Sequence, residues 1–273
     1  MIGKKRNLFK SLLSLLILIV HFVPFYILIS VSFKRQMDLS SRWKMPDYFS
    51  LDNFRLAIEK GNLLSALGNT LIITVCSVLI IVAVGSMAAY PLSRVKNRTN
   101  RWILNFILAV MMIPPLSVLV PLYKTLVSLH GINTYWGIIL VSVTYNLPIS
   151  IFLYSNFIAT IPKELDEAAM IDGCSRLQAF FKVILPSLKP VTASVVILTG
   201  VYIWNDYSFQ MYVLQKKEMR TATLAISSFF TENAANLNAG AAAALLVIIP
   251  PIILYLSMQK YFVKGIADGA VKG

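Results

Sequence analysis

Apolar runs long enough to cross a lipid bilayer recur along this chain, and nothing else in the sequence restricts its fold so severely. A membrane helix needs about 20 mostly apolar residues. Six stretches satisfy this, at roughly 11–33, 64–91, 102–122, 134–158, 191–213 and 241–263. Inside a bilayer every backbone polar group needs an internal partner, so runs of this length are read as helices. The fold class expected is therefore all-α, a polytopic membrane protein of six transmembrane helices. At 57% hydrophobic and 14% charged residues the chain sits well away from a soluble domain, which carries about 25% charged residues. The first run follows Lys4, Lys5, Arg6 and Lys10 but is too long for a signal segment and lacks a small-residue cleavage site, so it is expected to stay as an anchor.

The formal charge of +13 is compatible with nucleic acid, but the bases fall in short groups between apolar runs. That pattern suits membrane orientation. Arg94, Lys96, Arg98 and Arg101 crowd the short 92–101 connection without an acid among them. Since positive connections stay cytoplasmic, both termini (1–10 and 264–273) and the polar insert at 159–190 are expected inside. The long 34–62 loop, with "YFSLDNFRLAIEKG", is expected outside as a short amphipathic helix capped by Ser50 or Asp52 and ending near Gly61. Proline and glycine recur in the apolar runs, at 114–116, Pro121, Pro148, Pro250, Pro251, Gly85 and Gly200. Such breaks are tolerated where neighbouring helices satisfy the freed carbonyls, and they favour a bundle around a pathway over a simple anchor.

The insert between the fourth and fifth runs reads as two helices. Pro162 suits the first helical position, and Glu164, Asp166 and Glu167 place negative charge near the positive end of the macrodipole. Gly173 suits the left-handed residue that ends a helix. Leu165, Ala168, Ala169 and Asp172 share one stripe, where two adjacent alanines admit a close neighbour. Ser175 and Gln178 form a capping box for the second helix, which shows Leu177, Phe180, Phe181 and Ile184 on one side and is expected to stop at Pro186.

Asp206 is the one acid within an expected span, in "YIWNDYSFQMY". An ionisable residue at membrane depth is a functional candidate. Asn205 and Asp206 can hydrogen-bond a polar solute, and Tyr202, Trp204 or Tyr207 present aromatic faces beside them; equally, Asp206 can pair with a polar group on a neighbouring helix or sit near an interface. Cys76, Cys174, His21 and His130 fall in no ligand pattern, so neither a metal site nor a catalytic residue is expected.

"EAA" at 167–169, Gly173 and "LP" at 185–186 resemble the signature loop of ATP-binding-cassette importer permeases, E-A-A-x3-G-x9-I-x-L-P, with Val183 at the isoleucine position. Further stretches, "MIPPLSVLVPLYKTLVSLHGINTYWGIIL" (112–140), "IPKELDEAAMIDG" (161–173), "WND" (204–206) and the ending "YFVKGIADGAVKG", look like maltose-type carbohydrate permeases, the six-span subunit of a heteromeric pair. The chain departs from them after "WND", where "YSFQMYVL" replaces a continuation that often holds a Pro-Leu pair.

The resemblance implies that Glu164, Asp166, Glu167, Ala168, Ala169, Ile171, Asp172, Gly173, Leu185 and Pro186 form an ATPase-coupling element, Glu167 being a polar anchor. It also implies a second permease subunit, two copies of a cytoplasmic ATPase carrying ATP and Mg, an extracytoplasmic solute-binding protein, a carbohydrate cargo and the cytoplasmic membrane of a prokaryote. The C-terminal tail would reach the ATPase pair, and the 214–240 loop would meet the binding protein. The chain lacks G-x-x-x-x-G-K-[ST], so this polypeptide is expected to bind no cofactor itself. Alternatives are a permease of the same superfamily for phosphate or peptide, and an ion-coupled secondary transporter, which offers no role for the polar helix pair. An enzyme would need a catalytic cluster that the sequence does not present.

Overall fold

The computed structural model describes residues 2–231 and 236–270, with side chains for 10–231 and 236–260. Helices follow in the order α1 (Ile2–Ser32), α2 (Asp52–Glu59), α3 (Leu63–Arg94), α4 (Arg98–Val110), α5 (Leu119–Ser128), α6 (Tyr135–Thr160), α7 (Glu164–Ile171), α8 (Arg176–Ala179), α9 (Leu185–Ser187), α10 (Lys189–Asn205), α11 (Ser208–Val213), α12 (Ala222–Thr231) and α13 (Leu237–Ala270). Among the described residues there is no strand. Among the described residues four helices are long and apolar enough to cross a membrane, or up to six when each of two bent pairs counts as one span.

Two expected spans are not straight. The 102–122 run breaks between α4 and the turn opening at Pro115, with a bend of 93°. Pro114 and Pro115 together remove two donors and force extended backbone ahead of each ring, so α4 ends at Val110. The 191–213 run is interrupted at Asp206 and Tyr207, which separate α10 from α11. Single prolines, by contrast, are carried inside α1, α3 and α6 (Pro24, Pro91 and Pro148).

The chain divides into two compact units. The first comprises 1–67 and 224–249. The loop after α1 is held by its own polar groups: Asn53 donates to the carbonyls of Ser32 and Lys34, at 2.8 and 2.6 Å. Buried Lys34 reaches Ser40 Oγ and the Ser41 carbonyl, each at 2.7 Å. Asn238 on α13 donates to Lys34 and Arg35 carbonyls. The short helix α2 forms, but Leu51 stands at its cap and Ser50 Oγ accepts from the Asp52 N–H at 3.3 Å. Gly61 does not supply the left-handed residue after it; Asn62 does, with φ 49°. Gly61 is required by proximity, since a Cβ there would lie 2.6 Å from the Phe229 ring.

The second unit comprises 68–223 and 250–273. Within it α10 and α4 pack on α6, and α11 packs on both α6 and α5. Small residues bring α3 and α6 together, as membrane helices require in the absence of a hydrophobic drive between them. A Cβ on Gly85 would lie 2.2 Å from Ser150 Oγ. Tyr154, fully buried, donates to Thr192 Oγ1 at 3.0 Å and ties α6 to α10. Asn69 donates to the carbonyls of Glu218 and Arg220 and accepts from Tyr135 Oη at 2.7 Å.

Candidate functional site

The polar insert folds as a closed elbow. Its first helix begins at Glu164, with Lys163 at the cap and Pro162 one position earlier, so the proline lies outside the helix and not at its first position. Pro162 still directs the chain, because Ile161 before it is extended at ψ 127°. Glu164, Asp166 and Glu167 all fall in the first turn.

At the far end Gly173 adopts φ +84°. The Gly173 N–H donates to the Met170 carbonyl at 3.1 Å and Cys174 N–H to the Ala169 carbonyl at 2.9 Å. This is a Schellman closure. Immediately after it Ser175 and Gln178 bond each other's backbone N–H through their side chains, at 3.3 and 2.8 Å. The bend therefore leaves few orphaned backbone groups, which makes it a stiff joint.

The second arm does not stop at Pro186. After α8 the chain widens into a π-helix over Phe180–Ile184, with Leu185 N–H bonded to the Phe180 carbonyl, and continues through α9. A proline ring would collide with the carbonyl four residues back in a regular helix. The wider π turn in the residues before Pro186 accommodates it. The direction changes only after Ser187, where α10 departs at 74°.

The elbow is fastened to the end of α3. Asp166 is buried and pairs with Arg94 at 2.8 Å, with both side chains about a tenth exposed. Tyr90 Oη also donates to Asp166 Oδ1. Arg94 extends the clamp, donating to the carbonyls of Ile158 and Ile161 at the end of α6, at 3.1 and 2.9 Å. One guanidinium thus joins the last turn of α3, the last carbonyls of α6 and the first turn of α7. The Tyr90 ring packs on Phe180 at 5.2 Å between centroids. Beside this clamp lies a cavity of about 460 Å³, lined by Met87, Met170, Leu177 and Phe180 among others.

This geometry divides the ten expected coupling residues. Asp166 and Ala169 turn inward and are buried, so Ala169 does not share an outer contact surface with Ala168. Leu185 is partly covered. Glu164, Glu167, Ala168, Ile171, Asp172, Gly173 and Pro186 remain exposed, Ile171 to 86%. Tyr90 and Arg94 are partners of Asp166 that sequence reasoning missed. The signal was Asp166 itself: an acid whose helical neighbours Ala169 and Met170 are apolar needs a base from elsewhere.

The second candidate cluster resolves differently. Asp206 stands between α10 and α11, and its carboxylate accepts from the Phe209 N–H at 3.3 Å. Its carbonyl accepts from Thr223 Oγ1 at 2.9 Å. Trp204 is buried, while Tyr202, Asn205 and Tyr207 are exposed. Asn205 donates to the Val201 carbonyl at 2.8 Å. Gln210, also missed, is fully buried and carries the local network: it donates to Ile203 O at 3.1 Å and accepts from Thr221 Oγ1. The 214–240 region contains α12, while residues 232–235 lie outside the described residues. Among the described residues no group of His, Cys, Asp and Glu is placed to hold a metal.

A helical membrane bundle with a clamped polar elbow defines a class, the polytopic membrane permease subunits. The particular family follows from comparison. The family described as binding-protein-dependent transport system inner membrane component matches residues 81–268, and the chain belongs to it. The melibiose/raffinose/stachyose import permease protein MelC of Bacillus subtilis (strain 168) is 44% identical over 264 residues, covering 96% of each chain. A probable starch degradation products transport system permease protein, AmyC, of Thermoanaerobacterium thermosulfurigenes is 38% identical over 250 residues, 91% of each. In fold, the chain is similar to one in a crystal structure of a bacterial ABC transporter involved in import of the acidic polysaccharide alginate. That likeness has a TM-score of 0.84 at 21% identity and covers 95% of this chain and 97% of the other.

Proposed function

We propose that this chain is the membrane-spanning permease subunit of an ATP-driven importer for a sugar or oligosaccharide. The naming of its relatives MelC and AmyC for sugar import and starch products supports the cargo class. One observation carries the mechanical part. The elbow is capped on both sides of Gly173 and bolted to α3 and α6 through Asp166 and Arg94. A force applied to its outer face therefore passes into two long helices without melting the joint.

In this reading Glu164, Glu167, Ala168, Ile171 and Asp172 dock into a cleft on a cytoplasmic ATPase, one of two copies, which binds ATP with Mg and hydrolyses it. Asp166, Ala169 and Leu185 act from within as the mount, and Gly173 and Pro186 set the angles of the two arms. The elbow and both termini, including the expected tail 264–273, face the cytoplasm. A second permease subunit completes the pathway, and a solute-binding protein delivers cargo on the outer side. Approach of the two ATPases pushes the elbows together and rocks the bundle between inward and outward openings. Tyr202, Asn205 and Tyr207 offer stacking faces and hydrogen bonds to a sugar from their exposed positions; Trp204 and Asp206 shape that wall from behind.

Glu167→Lys should abolish ATP-driven uptake of a labelled oligosaccharide in proteoliposomes of the whole importer, while membrane content and melting temperature stay unchanged. Gly173→Asp should also abolish uptake, here with a lowered melting temperature, because φ +84° strains any residue with a side chain. Undiminished uptake in both variants would remove the lever from the mechanism.

A further inference from the structure

A second cavity, of about 480 Å³, lies away from the elbow, among the last turn of α3, the start of α4 and the last turns of α6. Its polar wall carries Lys96 and Arg101 and no acid. The turn that presents them is rigid: Asn97 Oδ1 accepts from the Asn100 N–H at 2.7 Å, and Asn100 donates to the carbonyls of Pro91 and Val95, at 3.0 and 2.8 Å. The N-terminus of α4, a helix of 13 residues, opens on the same side. Its backbone dipole adds to the attraction for an anion.

An independent observation points to a ligand. Ser155 on α6 lines this cavity and is only 7% exposed, yet its hydroxyl has no hydrogen-bond partner among the described residues. The hydroxyl of half-buried Ser93, on α3, also lacks a partner among the described residues. Buried hydroxyls nearly always find partners. Two left open on one cavity with two bases await acceptor oxygens.

The rest of the lining tells which anion. Leu104, Leu108 and Phe152 form an apolar wall. The helix over them, α4, buries none of its residues and exposes Trp102 to 66% and Phe106 to 69%. A helix with bases at its start and Trp and Phe along its length has the composition of the membrane–water boundary. A free anion would gain nothing from this apolar wall, whereas a lipid would gain from both parts.

We propose that this cavity binds an anionic phospholipid, its phosphate held by Lys96, Arg101 and the Ser93 and Ser155 hydroxyls and its acyl chains laid along Leu104, Leu108 and Phe152. This goes beyond the transport reading and does not depend on the cargo. The site would select for the anionic lipids of one leaflet and brace the α3–α4 turn.

The test uses the purified importer with all its subunits, delipidated in detergent and titrated with phosphatidylglycerol or phosphatidylcholine. Bound lipid is counted by native mass spectrometry. Wild type should retain phosphatidylglycerol in preference to phosphatidylcholine, and inorganic phosphate should not displace it. Lys96→Gln with Arg101→Gln should weaken phosphatidylglycerol retention roughly 30-fold, about fivefold from each base, at unchanged phosphatidylcholine retention. Should that pair fail to assemble, Ser155→Ala, which keeps both bases, should still weaken retention roughly fivefold. Equal retention of the two lipids, displacement by millimolar phosphate, or variants that bind like wild type would each overturn the proposal. So would a crosslink from Asn105→Cys to the partner permease with no lipid retained, which would make the groove a subunit contact.

Discussion

Asp166 and Asp206 both lie next to apolar helices, and the structure uses them in opposite ways. Asp166 is buried against Arg94 and Tyr90, which belong to a helix more than 70 residues earlier in the chain. Asp206 accepts from the backbone N–H three residues on and its carbonyl binds Thr223. The first carboxylate holds two elements together; the second satisfies a break inside one run. The contrast separates a residue that ties distant elements together from one that keeps a kink in place. An acid at membrane depth is thus not by itself a substrate contact, and an acid in a polar insert is not by itself a surface group.

The largest test of that contrast removes one partner of the buried pair. Arg94→Ala should strand Asp166 and release the α6 carbonyls, costing about 3–5 kcal/mol and abolishing uptake, read as a lowered melting temperature and lost transport together. Replacing both, as Arg94→Met with Asp166→Leu, should recover most of the stability. If the double replacement were as unstable as Arg94→Ala, Arg94 would matter for the α6 end alone and the mount would not be a pair.

A smaller effect is expected at the break. Asp206→Asn keeps an acceptor oxygen and should change melting by less than about 1 kcal/mol, while Asp206→Ala should cost about 0.5–2 kcal/mol, the range for a lost cap. Uptake assays with several sugars sharpen the comparison: an equal modest loss for every sugar fits a kink-holder, whereas loss for one sugar alone would move Asp206 into the binding wall.

The smallest effect belongs to a third aspartate, in the exposed loop after α1. Hydrogen bonds from the Ser40 side chain, from Tyr48 Oη at 2.5 Å and from the Ser40 N–H at 2.9 Å hold the Asp38 carboxyl well below the usual carboxylate range. Because the folded value is depressed, its contribution is complete above the usual range and fades as pH falls through that range toward the lower folded value. Amide protection factors of residues 34–49, which remove the intrinsic pH dependence of exchange, should therefore be flat from neutral pH down to the usual carboxylate range and fall only below it. Asp38→Asn should remove that acid-side change.

Much of the candidate elbow was legible because its signals are local. Gly173, the Ser175–Gln178 box and the acidic first turn each act within four residues, so the order of letters determines them. Pro186 misled for a related reason: a proline predicts a stop when only the regular helix is considered, and the π turn over Phe180–Ile184 is an accommodation that the letters do not announce. The break at Pro114–Pro115 was marked in the sequence as a proline cluster, but its 93° angle was not. The clamp was not legible at all. Arg94 counts in a sequence as one more positive residue near a membrane end, and only its placement beside Ile158, Ile161 and Asp166 makes it a joint.

By itself the sequence determined that this chain is a helical membrane protein with a stiff polar elbow, since hydrophobic length and capping act between near neighbours along the chain. Only the tertiary structure decided which face of the elbow is mount and which is free, and that Asp206 holds a kink. Those outcomes rest on pairings between residues far apart in sequence, and low-polarity surroundings make every buried polar group depend on a partner that only packing can bring to it.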